Sequence, residues 1–157
     1  MQTSIKVTLV WALAILLKFT AFAEAWQTAV NGRPTSDMDT ALAVTVDPAT
    51  GNIFVAGRRQ NSSTTSQFFV AKFTSAGQRL WQETVEGTAD LGVRAGAVAA
   101  KIDSNGFVFI AGTIGNSDTA ADFVIMKIDG RSSRKRVLWK RVFDSGLGHD
   151  DIVNAMT

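Results

Sequence analysis

The densest group of charged side chains in the sequence lies toward its C-terminal end. Six lysine and arginine residues fall within eleven positions there: Arg131, Arg134, Lys135, Arg136, Lys140 and Arg141. A basic cluster of this kind can bind a polyanion, such as an acidic glycan or a lipid headgroup. The competing interpretation, which we favour, is a solvated hairpin loop whose charges discourage pairing with another sheet edge.

Three further motifs carry groups that could do chemistry. The segment Asp103–Gly106 reads DSNG and opens like a calcium loop, but Phe107 and further apolar residues follow where additional ligands are needed, so a hairpin turn is the preferred interpretation. The segment His149–Asp151 supplies neither a catalytic triad nor a metal cage, because adjacent residues of an extended chain point to opposite faces. Asn61 begins N-S-S, an N-glycosylation pattern, in a polar loop.

The remaining composition narrows the chemistry further. There is no cysteine, so a thiolate nucleophile, a disulfide and a cysteine-ligated metal are all excluded. A single histidine, His149, cannot form a histidine-rich metal site. We find no phosphate-binding glycine loop and no nucleophile elbow in the sequence. We therefore expect no catalytic residue, no metal and no cofactor.

Residues 1–23 have the pattern of a secretory signal peptide. Lys6 precedes the apolar run Val7–Leu17, and Ala21–Ala23 provides a small-x-small cleavage pattern. The run is too short to span a membrane, which takes roughly 20 apolar residues, so no transmembrane segment is expected after cleavage. Cleavage would leave 14 basic and 14 acidic residues. We therefore expect a secreted or cell-surface protein for which nucleic acid is an unlikely partner.

The elements that position these side chains come from an internal repeat. The phrase VDPATGNIFVAG at Val46–Gly57 returns as IDSNGFVFIAG at Ile102–Gly112, and the match extends beyond it at offsets of 55 to 58 residues. Each unit contains four short apolar or alternating segments separated by turn residues, which predicts four strands per unit. Leu80-Trp81 recurs as Leu138-Trp139, and each tryptophan is expected to pack between neighbouring sheets.

This pattern predicts an all-β fold of consecutive four-stranded antiparallel β-propeller blades, with about two complete blades, partial ones and an incomplete ring, preceded by the signal peptide. Short connections favour an up-and-down strand order within each blade. The expected division of the chain is a signal peptide at 1–23, the end of a preceding blade and a linker at 24–40, blade repeats at 41–96 and 97–150, and the start of a further repeat at 151–157.

The repeated phrases resemble the SBBP-type β-propeller repeat of exported proteins. The resemblance covers about Trp26 to Thr157, and its most specific parts are Val46–Gly57, Ile102–Gly112 and the two Leu-Trp pairs. It implies a propeller in a secreted or surface protein, and it implies no shared activity. The longer, basic loop Arg131–Arg136 departs from the pattern of the family.

Two blades do not close a ring, since propellers have about four to eight. The chain is therefore expected to be a fragment of a longer propeller, one of several copies that self-associate to complete a ring, or an open sandwich with exposed edges. The favoured function is a non-catalytic scaffold or binding module for an extracellular protein or glycan. The alternative is a fragment of a quinoprotein-like propeller enzyme whose catalytic blades are absent, or a product without independent function.

Overall fold

The computed structural model describes residues 26–28, 39–60, 66–88, 95–146 and 148–157. Every regular element in these residues is a strand. The strands are β1 (Thr40–Val46), β2 (Ile53–Gln60), β3 (Ser66–Phe73), β4 (Arg79–Val85), β5 (Gly96–Ile102), β6 (Phe107–Asn116), β7 (Ala120–Asp129) and β8 (Val137–Phe143). The part of the chain described contains no helix long and apolar enough to cross a bilayer, and residues 1–23 lie outside it.

The strands form two four-stranded antiparallel sheets. The first sheet has the order β1-β2-β3-β4 and the second has the order β5-β6-β7-β8. Within each sheet, consecutive strands are hydrogen-bonded neighbours. The all-β class and the four strands per repeat are therefore confirmed. Neither sheet closes into a ring within the described residues.

The first hairpin of each sheet is held by an aspartate. In the first sheet Asp47 Oδ1 accepts a hydrogen bond from Ala49 N at 3.0 Å. In the second sheet Asp103 Oδ1 accepts from the amide nitrogens of Asn105 and Phe107, both at 2.9 Å. These aspartates thus organise turns, which agrees with the preferred interpretation of the DSNG motif.

The Asn-Gly turn differs in detail from the hairpin usually associated with that dipeptide. A two-residue type I′ turn requires a positive φ at both central residues. Here Gly106 has φ 78°, whereas Asn105 is absent from the described non-glycine residues with positive φ. The amide of Gly106 donates to Asp103 O at 3.0 Å, and the amide of Asp103 donates to Phe107 O at 2.9 Å. The turn therefore spans Asp103 to Phe107 and uses one left-handed residue.

The repeat extends to irregularities of the backbone. The register between β1 and β2 shifts between Ala41 and Ala43, and the register between β5 and β6 shifts between Ala97 and Ala99. A glycine pairs with the first residue of each shift, Gly57 with Ala41 and Gly112 with Ala97. A side chain on either glycine would collide with a backbone carbonyl of the neighbouring strand. The two units therefore share a β-bulge at the same place.

The two sheets pack face to face, with β5 lying against β1 and β2. We call the face that each sheet turns toward the other its inner face, and the opposite face its outer face. The main core lies between the inner faces. Its large, fully buried apolar side chains are Phe54, Phe68 and Val70 from the first sheet and Val108, Ile110, Val124, Met126 and Ile128 from the second. Each contributes about 1.5–3 kcal/mol relative to an exposed side chain.

The two inner faces are not equivalent in the repeat. The face that the first unit turns inward corresponds to the face that the second unit turns outward. Phe54 of β2 and Trp81 of β4 lie on the inner face of the first sheet, where their rings are 6.0 Å apart. Their counterparts in the repeat, Phe109 and Trp139, lie on the outer face of the second sheet with rings 6.2 Å apart. Alternation along β6 explains this, since the neighbours of Phe109 point into the core. The expected packing of a tryptophan between sheets is thus seen for Trp81, while Trp139 lies on the surface of the pair.

Candidate functional site

The basic cluster of the sequence is organised by a buried carboxylate. Asp129, the last residue of β7, is 5% exposed. Its Oδ1 accepts from Arg131 Nε at 2.9 Å, and its Oδ2 accepts from Arg136 Nη1 at 3.3 Å. The hydrogen bond from Arg131 holds the pKa of Asp129 below its usual value, and the same bond raises the pKa of Arg131. Two of the six cations therefore share a single carboxylate of the chain.

Two contacts tie the same loop to apolar and acidic groups. The guanidinium of Arg131 lies over the ring of Phe107, 4.5 Å from its centre. Lys135 forms an ion pair with Glu83 of β4, with Nζ and Oε2 separated by 2.5 Å. The Lys135 contact joins the β7–β8 loop to the first sheet. Three of the six predicted polyanion contacts are thus engaged by carboxylates of the chain itself.

The other three cations, Arg134, Lys140 and Arg141, are exposed and have no carboxylate partner among the residues described. Lys140 pairs with Met126 and Arg141 with Ile125 in the β7–β8 ladder. Because Lys140 and Arg141 are adjacent in a strand, their side chains leave opposite faces of the sheet. The structure therefore does not bring the six cations together as one surface.

A buried lysine that the sequence did not single out connects the two sheets. Lys72 of β3 is 1% exposed on the inner face of the first sheet. Its Nζ donates to the carbonyl oxygens of Gly130 at 2.6 Å and Ser132 at 2.9 Å. Burial lowers the pKa of Lys72, while the charges of Asp47 and Asp129 act in the opposite direction. The ammonium thus satisfies two carbonyls of the neighbouring unit within an apolar core.

Lys127 of β7 is the counterpart of Lys72 in the second unit, 55 residues later. It lies on the outer face, where its Nζ is 4.1 Å from the centre of the Phe107 ring and 5.0 Å from that of Phe109. The described residues place no further sheet against this face, so Lys127 contacts aromatic rings of its own sheet. The equivalent lysine therefore links the two sheets in the first unit and lies on the surface in the second.

An apolar recess lies on the outer face of the first sheet. Phe69, Ala71 and Phe73 form a small second core on this face. The indole of Trp26 stacks on Phe73, with ring centres 6.2 Å apart, and its Nε1 donates to Ser75 O at 2.9 Å. A cavity of about 300 Å³ lies beside these residues. The volume suits a side chain or a small apolar ligand better than an extended polymer.

The other candidate residues occupy less informative positions. His149 is exposed, and the described residues provide no triad around it. Asn61 lies outside the described residues, so its glycosylation stays a prediction. The sequence interpretation missed Asp129, which accepts hydrogen bonds from arginines of the loop that follows it, and Lys72, which contacts carbonyls of a distant part of the chain. The only available signal was a charged residue at a strand position whose neighbours are apolar.

Two surfaces of the described residues could therefore contact a partner. One is the outer face of the second sheet, which carries Phe109, Lys127 and Trp139. The other is the recess beneath Trp26 on the first sheet. Comparison of the chain with models of known protein families and with curated proteins finds no match.

Proposed function

We propose that the chain is an exported, non-catalytic β-propeller scaffold whose two sheets are successive blades, and that it binds an extracellular protein or glycan. The single observation that carries the proposal is the packing of the two sheets through unlike faces. Blades of a propeller meet in this way, because the inner surface of one rests on the opposite surface of the next. The apolar leader at 1–23 supports export.

The outer face of the second sheet has the features of a blade interface. It repeats the aromatic and cationic side chains with which the first sheet contacts its neighbour. It also carries a stacked pair, Phe123 and Phe143, with ring centres 4.5 Å apart, and Phe143 is 45% exposed. Aromatic clusters left on a surface favour association. The occupant we assign to this face is the first sheet of a second copy of the chain.

The outer face of the first sheet is the complementary surface. Phe69 and Phe73 are the counterparts of Val124 and Ile128, and those two side chains pack against the first sheet in the observed pair. Val44 on the same face is 64% exposed. Trp26 already covers Phe73, so head-to-tail association would replace that indole with Trp139 of the neighbouring copy. Repeated association of this kind completes a ring from several chains.

A ring of blades presents its hairpins and loops at two ends, where scaffold proteins carry their binding residues. The exposed cations of the β7–β8 hairpin and its following strand are the chemical feature available for an acidic partner. Arg134 is the residue at the tip of that hairpin without a carboxylate partner in the described chain. An acidic glycan or an acidic protein surface fits this charge.

Self-association tests the proposal directly. Size-exclusion chromatography with light scattering of the wild-type chain is expected to give a closed oligomer of defined mass. Trp139→Arg places a charge in the assigned interface and is expected to reduce the mass to that of a single chain. Ala49→Arg is the matched control, because Ala49 is exposed in the β1–β2 hairpin away from both faces. A folded wild-type chain that remains monomeric, or a Trp139→Arg variant with unchanged mass, contradicts the proposal.

A further inference from the structure

The two units differ at one pair of facing positions. The first unit has an amide and a carboxylate there, and the second unit has two carboxylates. In the first unit Gln67 donates from its side-chain amide to the carboxylate of Glu86. The counterparts of these residues in the second unit are Asp122 and Asp144. An amide and a carboxylate form a hydrogen bond, whereas two carboxylates at the same positions repel each other. A positive group between the two carboxylates would relieve this repulsion in the second unit.

A third carboxylate joins this pair. Asp151 follows β8 in the chain, and its amide donates to the carbonyl of Ala121 at 2.5 Å, which brings its side chain beside Asp122. One carboxylate oxygen from each of Asp122, Asp144 and Asp151 lies within 4.8 Å of the others. No lysine, arginine or histidine forms an ion pair with any of the three within the described residues. The three charges are thus gathered without a cationic side chain.

The burial of Asp122 is a separate observation that points to a ligand. Its side chain is 2% exposed. Oδ2 accepts from Asn116 Nδ2 at 2.5 Å and from Thr119 Oγ1 at 2.6 Å. Oδ1 is buried and has no hydrogen-bond partner. Leaving a buried carboxylate oxygen without a hydrogen-bond partner is energetically unfavourable, so a partner for this oxygen is expected.

We propose that Asp122, Asp144 and Asp151 bind a calcium ion at the junction between the second unit and the segment that follows it. Calcium takes oxygen ligands at about 2.3–2.6 Å, so two oxygens on one ion are at most about 5 Å apart. The three carboxylates meet that limit. The exposed positions of Asp144 and the partial exposure of Asp151 allow water molecules to complete the six to eight ligands that calcium takes.

Backbone amides fix the orientation of the two outer ligands. Asp144 Oδ1 accepts from Gly146 N at 2.7 Å, and Asp151 Oδ2 accepts from Ser145 N at 2.7 Å. In each carboxylate one oxygen is therefore held, and the other is the oxygen assigned to the ion. Magnesium is a poorer fit because it requires near-ideal octahedral geometry at about 2.0–2.1 Å. With three carboxylates and two exposed ligands, the expected dissociation constant is about 0.1–1 mM, the range of extracellular calcium modules.

The site would fasten three parts of the chain to one another. Asp122 lies at the start of β7, Asp144 directly follows β8, and Asp151 lies in the segment 148–157. The described hydrogen bond from this segment to Ala121 is the contact that calcium would reinforce. The inference does not depend on a propeller or on export, because it rests on side chains within the second unit and the residues that follow.

Isothermal titration of the purified chain with CaCl₂ tests the site. We expect one calcium ion per chain, and a rise in Tm of about 3–10 °C in about 10 mM CaCl₂. Asp144→Asn and Asp151→Asn are expected to weaken binding at least ten-fold. Glu86→Gln is the matched control, because it removes a carboxylate at the equivalent position of the first unit, and it should leave calcium binding unchanged.

Asp144→Asn also separates the proposal from simple charge repulsion. Without calcium the variant is expected to have a higher Tm than the wild type, because one repelling carboxylate is gone. With calcium the order is expected to reverse. Absence of a calcium-dependent heat in the wild type overturns the proposal, as does wild-type affinity in the folded Asp144→Asn and Asp151→Asn variants. Equal binding of MgCl₂ overturns the assignment to calcium.

Discussion

The ammonium of Lys72 in the first sheet donates to the carbonyl oxygen of Gly130, in the turn after β7, at 2.6 Å and across 58 positions of sequence. A charged group in an apolar core is costly unless it is fully hydrogen-bonded. Here the ammonium also donates to Ser132 O and lies 5.5 Å from the centre of the Phe54 ring. The contact therefore satisfies carbonyls of the turn after β7 with a donor from another sheet.

The first prediction compares the two lysines of the repeat. Lys72→Met is expected to lower the free energy of unfolding by about 1–3 kcal/mol, because two carbonyls lose their donor. Lys127→Met, at the equivalent position on the outer face, is expected to change it by less than about 0.5 kcal/mol. Urea denaturation followed by tryptophan fluorescence measures both values. An equal effect of the two substitutions contradicts the role assigned to Lys72.

The second prediction concerns acid stability. The pKa of Asp129 is lowered mainly by its hydrogen bond with Arg131, and that of Asp47 mainly by its hydrogen bond with Thr50. A carboxyl whose pKa is lowered on folding stabilises the fold above its unfolded pKa, near 3.8, and this stabilisation is lost as the pH falls through the folded pKa. We therefore expect the free energy of unfolding to fall steeply below about pH 4.

Asp129→Asn tests the contribution of that residue to the acid response. The variant is expected to lose about 1–2 kcal/mol at pH 7, a figure reduced by the exposure of both arginine partners, and to show a shallower decline between about pH 4 and pH 2. Asp118→Asn is the control, since Asp118 is exposed in the β6–β7 turn. Denaturant titrations across this pH range provide the comparison. A decline as steep as that of the wild type is the result that contradicts the prediction.

The third prediction concerns polyanion binding. Of the six cations, Arg134, Lys140 and Arg141 have no carboxylate partner among the described residues. Arg141 pairs with Ile125 on the outer face assigned to the neighbouring copy, so alanine at Arg134 or Lys140 is expected to weaken binding to heparin about five-fold. Arg136→Ala is expected to have a smaller effect, because that side chain already forms an ion pair with Asp129. Elution salt from a heparin column measures the order. If the wild-type chain is not retained at low salt, the predicted polyanion contact is wrong.

The strands were predictable because local patterns determine them. The alternation at 41–46 and the apolar runs at 68–73 and 123–128 lie inside β1, β3 and β7, which extend one to three residues beyond them. The pattern understated β2 and β6, which continue into polar residues as far as Gln60 and Asn116. Those ends are held by pairing with β3 and β7, and a ladder of backbone hydrogen bonds leaves no hydrophobic pattern in the sequence.

The candidate sites were less predictable, because they depend on which groups meet in space. The composition of the loop Arg131–Arg136 was compatible with a solvated hairpin loop or a basic surface, and it did not indicate that Asp129 and Glu83 form ion pairs with three of the six cations. The repeat alignment did contain a signal for the acidic site. It shows a glutamine replaced by aspartate at Asp122, opposite a second acidic residue, and the third ligand, Asp151, comes from outside that alignment.

Because the two sheets pack through non-equivalent faces, the pair constrains how further copies of the chain can assemble. A pair joined through identical surfaces stops at a dimer, because each copy buries its only such surface against the other. A pair joined front to back always leaves one front and one back vacant. Such a series has two outcomes: curvature brings the ends together into a finite closed body, or the series continues as a filament.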